Sequence, residues 1–219
     1  MKPFTPDEHD VIAGAISRAE KNTSGEIVVV VARASSSYRY FSLMCVALVA
    51  LAVPLPLIHF TKWPIEYVYL LQLAVFGAGA LLVQWQAFRA AITPAALKRA
   101  RAHQRAVEQF VVQNLHTTQG RTGVLIYVSD AERYAEVIAD NGIYTKVSPQ
   151  VWDVLIAALT AHIGKGTRTE GFVAAIETCG AILAEHFPPS GDNEHFPPSG
   201  DNADELPNHL IVLDAAEPA

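Results

Sequence analysis

Five polar residues lie at the ends of two adjoining, largely apolar segments: Asp130, Glu132, Arg133, Asp140 and Asn141. Three carboxylates and an amide form an all-oxygen donor set. That set suits a hard cation such as Ca²⁺ or Mg²⁺, so Asp130, Glu132, Asp140 and Asn141 are the candidate metal ligands. The same residue types are favoured in turns for local reasons, so a pair of tight turns is the competing reading. Metal-assisted hydrolysis at such a set requires an activated water or a nucleophile within hydrogen-bond reach. Ser129 and Ser148 are the candidate nucleophiles.

No other catalytic pattern stands out. There is no G-x-S-x-G elbow, no H-E-x-x-H and no C-x-x-C. Gly164-Lys165-Gly166-Thr167 lacks the spacing of a phosphate loop and no apolar strand leads into it, so it reads as a turn between helices. His103, His116 and His162 have no Cys or carboxylate at metal-ligand spacing. Cys45 and Cys179 lie in separate apolar segments and read as packing residues.

The elements that would position the polar set come next. Val124–Val128 is an apolar strand, and Arg133–Ala139 reads as a third strand of the domain. Alternation puts Tyr134, Glu136 and Ile138 on one face and Ala135, Val137 and Ala139 on the other. If these two strands form a hairpin, Asp130 and Asp140 lie at its opposite ends and share a site only if the last loop folds back. The first strand is Glu26–Ala32, apolar without a break, as expected of a central strand covered on both faces. Helices frame the strands. One begins at Thr5-Pro6-Asp7-Glu8, a capping box. Others are expected from Pro94 to about His116, from Ser148-Pro149 to Gly164, and from about Thr169 to His186. The tail carries a perfect tandem repeat, EHFPPSGDN at 185–193 and again at 194–202. It reads as a duplication in a loop that tolerates length, and as too short for a solenoid unit. His186 and His195 are copies of one loop histidine. Leu210–Leu213 is apolar enough to dock back on the domain.

One stretch belongs to another solvent. Phe41–Phe60 and Tyr67–Phe88 hold no charged residue and are 20 and 22 residues long. At about 1.5 Å per residue either can cross a hydrocarbon core of roughly 30 Å. The alternative is a pair of buried helices in a soluble core. Arg33 and Arg39 precede the first arm; Arg89, Lys98, Arg99, Arg101 and Arg105 follow the second; Lys62 alone lies between. That asymmetry predicts an integral inner-membrane protein with two spans and both termini cytoplasmic. Pro54 and Pro56 should distort the outer end of the first span. Ala74 and Ala78 have the spacing that lets helices approach closely. No charge lies deep in either span, which disfavours a transport path.

Lys98, Arg99, Arg101 and Arg105 crowd the membrane-proximal half of the following helix. They form either a solvated basic face or a contact for anionic lipid headgroups. The formal net charge of −6 leaves no general nucleic-acid footprint. The expected organisation is residues 1–40 as the first part of an α/β domain, 41–88 as the hairpin, 89–186 as the rest of the domain, and 187–219 as the tail.

The segments SGEIVVVVA at 24–32 and RTGVLIYVSDAERYAEVIADNGI at 121–143, with the order of elements around them, resemble the TPM domain. This is a family of thylakoid and bacterial membrane-associated proteins. The resemblance covers almost all of the chain outside the hairpin. It implies an α/β/α sandwich with a small central sheet and a membrane-anchored role. Some relatives are described as acid phosphatases, others as metal-binding or assembly factors for membrane complexes, and many have no known activity. This chain departs from the common pattern. Many relatives have Asp-Arg after the second strand and Gly-x-Gly after the third. Here Asp130 is followed by Ala131, with Glu132-Arg133 displaced, and Gly142 stands alone after Asp140-Asn141. The expected function is therefore a non-enzymatic binding or assembly module for a membrane protein partner. The alternative is a membrane-bound, metal-dependent phosphatase.

Overall fold

The computed structural model describes residues 3–118, 120–189 and 208–214. The chain divides into two compact units, one holding Met1–Ser35 and Arg101–Ala215, the other Ser36–Ala100. The hydrophobic stretch 41–88 lies inside the second of these units. Most of the duplicated nonapeptide lies outside the described residues.

The first unit is a mixed α/β domain. Helix α1 (Pro6–Glu20) starts at the expected capping box, with Thr5 and Glu8 satisfying each other's backbone N–H groups. Strand β1 (Glu26–Ala32) follows. After the second unit the chain returns through β2 (Gly123–Ser129), β3 (Tyr134–Ala139) and a one-turn helix at Asn141–Tyr144. Two long helices, Pro149–Lys165 and Arg168–His186, come next, and β4 (Leu210–Leu213) is last. The sheet order is β3-β2-β1-β4. β1 pairs in parallel with both β2 and β4, and β2 pairs antiparallel with β3. Leu210–Leu213 thus docks back as an edge strand, filling the side of β1 that β2 leaves open.

Both faces of β1 are covered, as its unbroken apolar run requires. Ile27, Val29 and Val31 pack with Val124, Ile126 and Val128 against α1 and the two long helices, through Ile16, Leu159, Phe172 and Ile176. Val28, Val30 and Ala32 pack with Leu125 and Tyr127 against Ala106 and Leu115. Each valine, leucine, isoleucine or phenylalanine among these contributes about 1.5–3 kcal/mol when removed from water. β3 follows the alternation read from its sequence: Val137 and Ala139 join the first cluster, Tyr134 and Ile138 the second.

The second unit is a helical hairpin. Its first arm is α2 (Arg39–Ala52) and α3 (Pro54–Phe60), meeting at Val53, where Pro54 interrupts the backbone ladder. Its second arm is α4 (Ile65–Leu82). That arm ends earlier than the apolar run, because Val83, Gln84 and Trp85 turn the chain into α5 (Gln86–Ile92). Arg89 stabilises the turn by donating to the Val83 and Gln84 carbonyls at 2.8 and 2.9 Å. The buried residues of α2 are Ser42, Val46 and Ala50, about one per turn. The close approach falls at Gly79, where an added Cβ would lie 2.5 Å from Val46 Cγ1. Ala74 and Ala78 are exposed, so the small-residue spacing does not mark the contact inside the hairpin.

Helix α6 (Ala95–Val112) stops short of His116. Asn114 takes a left-handed conformation, φ 57°, and Leu115–Thr117 forms a 3₁₀ turn. Of Lys98, Arg99, Arg101 and Arg105, three have partners among the described residues. Lys98 donates to the Ala90 carbonyl, Arg101 to Gln104, and Arg105 to Glu108.

Helix α1 and the helix Arg168–His186 are tied at their first turns. Arg168 Nη2 lies 2.9 Å from Glu8 Oε2, Thr169 donates to Glu8 Oε1 at 2.8 Å, and the guanidinium covers the Phe4 ring at 3.9 Å. These donors, Arg168 foremost and then the Thr5 N–H, lower the Glu8 pKa from 4.5 to about 2. A depressed carboxyl pKa contributes stability above its unfolded value and loses it on acidification. The unfolding midpoint of the wild type should therefore fall as pH drops from about 4.5 to about 2. Glu8→Gln should remove that part of the slope, read by urea melts across the range.

Gly123 sits where an added Cβ would lie 2.5 Å from the Leu115 carbonyl oxygen, whereas Gly164 has nothing within 4 Å. Gly123→Ala should cost about 1–3 kcal/mol through overpacking. Gly164→Ala should gain up to about 1 kcal/mol from helix propensity. Chemical denaturation distinguishes the two signs.

Candidate functional site

The carboxyl ends of β1 and β2 lie side by side, because the two strands are parallel and in register from Glu26↔Gly123 to Ala32↔Ser129. In open α/β sheets this is the end where ligands bind. Backbone bonds close it: Asp130 N–H donates to the Ala32 carbonyl and Ala131 N–H to the Arg33 carbonyl. Above these bonds runs the turn from β2 to β3, residues 130–133.

Strand alternation divides the side chains of this edge between two faces. Tyr127 and Ser129 point to the face carrying the second core cluster, where both are fully buried. There they meet Ser35, which follows β1. Ser35 Oγ lies 2.9 Å from Tyr127 Oη and donates to Ser129 Oγ at 2.9 Å. Ser129 in turn donates to Glu132 Oε2. Glu132 also accepts the Ser35 N–H, 3.1 Å from each carboxylate oxygen. Burial raises the Tyr127 pKa, and the Glu132 charge adds to that shift. The phenol therefore stays protonated. The network staples the chain leaving β1 to the β2–β3 turn.

Val128 and Ala135 point the other way, toward the helix Pro149–Lys165. Together with Ser129, Asp130, Arg133 and Tyr134 on the sheet side and Thr160, Ile163 and Gly164 on the helix, they line a cleft of ≈ 440 Å³. Arg133 has φ 49°, left-handed backbone that side chains other than Gly and Asn rarely adopt. The four-residue turn requires this conformation at its last position, and the sequence places an arginine there.

The candidate ligands separate into two groups. Asp130 and Glu132 lie at the turn. Asp140 lies past the far end of β3, where its N–H bonds the Gly123 carbonyl at the start of β2. Six strand residues at about 3.4 Å each put roughly 20 Å between the two ends. Asp140 caps the one-turn helix through the Asn141 N–H at 2.6 Å, while its Oδ2 is buried without a hydrogen bond; Asn141 is exposed. Asp130, Glu132, Asp140 and Asn141 therefore do not converge, and among the described residues no group of three His, Cys, Asp or Glu is placed to hold a metal. Asp130 and Glu132 belong to the turn, whereas Asp140 and Asn141 open the one-turn helix. Ser129 is committed to Glu132. Ser148 is exposed at the start of its helix and donates to Gln150.

Three participants were not legible as site residues. Ser35 lies in a serine-rich connection with nothing to single it out. Tyr127 has one signal, a phenol within an apolar strand two residues before Ser129. His103 meets Glu136 at 3.0 Å, and Tyr134 donates to the same carboxylate at 2.9 Å. That contact joins α6 to β3 and cannot be read from spacing across 33 residues.

The Glu132 staple sets an expectation. Glu132→Ala strands a Ser35 N–H and a Ser129 hydroxyl in a part-buried place, so it should cost about 1–3 kcal/mol. Arg133→Gly, three atoms of backbone away, should leave stability unchanged or raised, because glycine suits φ 49°. Equal losses at both positions in urea melts would contradict the staple.

Neither a known protein family nor a curated protein matches the sequence. Among solved structures the chain is similar to the NMR structure of the BA42 protein from the psychrophilic bacterium Bizionia argentinensis. Identity is 23%, the match covers 96% of each chain, and the TM-score is 0.56. At that identity the likeness speaks to the fold alone.

Proposed function

We propose that this chain is a TPM-like α/β domain anchored in the inner membrane by a two-helix hairpin, and that it acts as a binding or assembly module for a membrane protein partner. The observation that carries the anchor is where the apolar side chains point. Arg39–Phe60 and Ile65–Leu82 are long and apolar enough to span, yet only 17% and 6% of their most apolar windows are buried. Core helices of a soluble domain would hide those faces. Leu48, Leu55, Ile58, Phe60, Leu70 and Leu81 are instead exposed, the arrangement that hydrocarbon solvent accepts. The basic residues flanking both arms favour a cytoplasmic side for the α/β domain.

The binding-module part rests on the site. The carboxylates lie at opposite ends of β3, and the buried serine is bonded to Glu132. Neither arrangement supplies a nucleophile or a metal-held water for hydrolysis, whereas an open cleft at the carboxyl edge of the sheet supplies a place to hold a ligand.

The chain should stay with the membrane through a high-pH carbonate wash. A cysteine at Thr61, with Cys45 and Cys179 replaced, should react with an impermeant maleimide only from outside. Release by carbonate would end the anchor reading. Affinity purification from gently solubilised membranes, with phosphatase assay of wild type and of the Asp130→Ala/Asp140→Ala double variant, tests the rest. A reproducible partner without hydrolysis is expected; metal-dependent hydrolysis lost in the variant would favour the enzyme.

A further inference from the structure

The cleft at the β2–β3 turn has an apolar floor and one uncommitted cation. Val128, Ala135 and Ile163 make the floor. The polar groups on its walls are mostly occupied. The Thr160 hydroxyl turns back to the Ile156 and Ala157 carbonyls, and the Ser129 hydroxyl lies on the opposite face of the sheet. Arg133 differs. Its guanidinium makes no hydrogen bond or ion pair among the described residues, and it is exposed. It also stands on left-handed backbone, where a turn with no other duty is best served by glycine. What arginine adds at that position is the charged, planar fork.

From these features, and resting on the binding-module reading above, we infer that the cleft takes the free C-terminal carboxylate of an extended peptide whose last side chain is apolar. A guanidinium matches a carboxylate through two parallel N–H···O bonds. A single arginine balances a single negative charge. Asp130, on the same turn, lowers the positive charge of the cleft and disfavours a doubly charged phosphate more than a carboxylate. A cleft of ≈ 440 Å³ is at the small end of ligand sites, suited to one apolar side chain with its terminal carboxylate and too small for a helix. The exit is open. Thr160 and Gly164 are exposed, and Gly164 has nothing within 4 Å of where a Cβ would stand, so the ligand backbone can leave over it.

The test uses the full chain in nanodiscs and a fluorescein-labelled hexapeptide pool, randomised at five positions and ending in leucine, beside the same pool as C-terminal amides. Fluorescence anisotropy should show the acids bound at least tenfold more tightly than the amides. Arg133→Gly should lose that preference while melting no lower than the wild type, so the loss is not unfolding. Arg133→Lys should retain part of it, because the charge remains and the fork does not. Equal affinity for acid and amide, binding of neither pool, or an unchanged preference in Arg133→Gly would overturn the inference. Displacement by free leucine as effective as by the peptide acids would also overturn it, assigning the cleft to an amino acid. The module reading fails separately. If the wild type and Arg133→Gly retain the same membrane protein equally, the module stands and the carboxylate pocket does not.

Discussion

The sheet unit depends on the burial of β1 on both faces and along both edges. A strand of seven residues with no polar position inside it has no face to offer water. Its sequence therefore demands two layers of helix and two neighbouring strands. β2 provides one edge and β4, from the far end of the chain, the other. Without β4, the N–H and C=O groups of Val29 to Ala32 on that side would lose their partners. The two parallel pairings also bring the carboxyl ends of the strands together, and that edge carries the staple and the cleft.

The staple and the cleft divide the labour of one short turn. Glu132 faces inward and is consumed by Ser35 and Ser129. Arg133, its neighbour, is exposed, and its side chain makes no hydrogen bond or ion pair among the described residues. The inward residue fixes where the turn sits, and a turn fixed in this way can hold an arginine in a conformation it would otherwise avoid. Ser35 is the last residue of the sheet unit before the hairpin unit begins. The buried bonds to Tyr127, Ser129 and Glu132 thus anchor the point at which the chain leaves the domain.

The hairpin obeys different physics. Its arms are held at Gly79 and Val46, where the missing Cβ allows close contact. Its polar tie is short, Arg39 to Gln84 at 2.8 Å. Arg89 and Lys98, which look like solvated charges in sequence, instead satisfy carbonyls freed where helices end. A count of basic residues therefore overstates how many are available to lipid headgroups, since Lys98, Arg101 and Arg105 all have partners in the protein.

By itself the sequence determined what local chemistry controls. The capping box at Thr5, the central character of Glu26–Ala32, the two faces of β3, the break at Pro54 and the two apolar arms all follow from neighbours a few residues apart. The fold class came from the resemblance that the segments at 24–32 and 121–143 carry. The site was legible only as a list of polar residues. Whether Asp130 and Asp140 converge depends on strand pairing, and antiparallel pairing sent them to opposite ends. That β4 is a strand depends on an edge of β1 almost 180 residues away, since four apolar residues carry no periodicity that separates strand from any other buried segment. Glu132 and Arg133 are adjacent charges in the sequence. Tertiary structure alone turned one into the core of a hydrogen-bond network and left the other facing a cleft, because a turn points successive side chains in different directions and only the packed sheet decides which direction is inside.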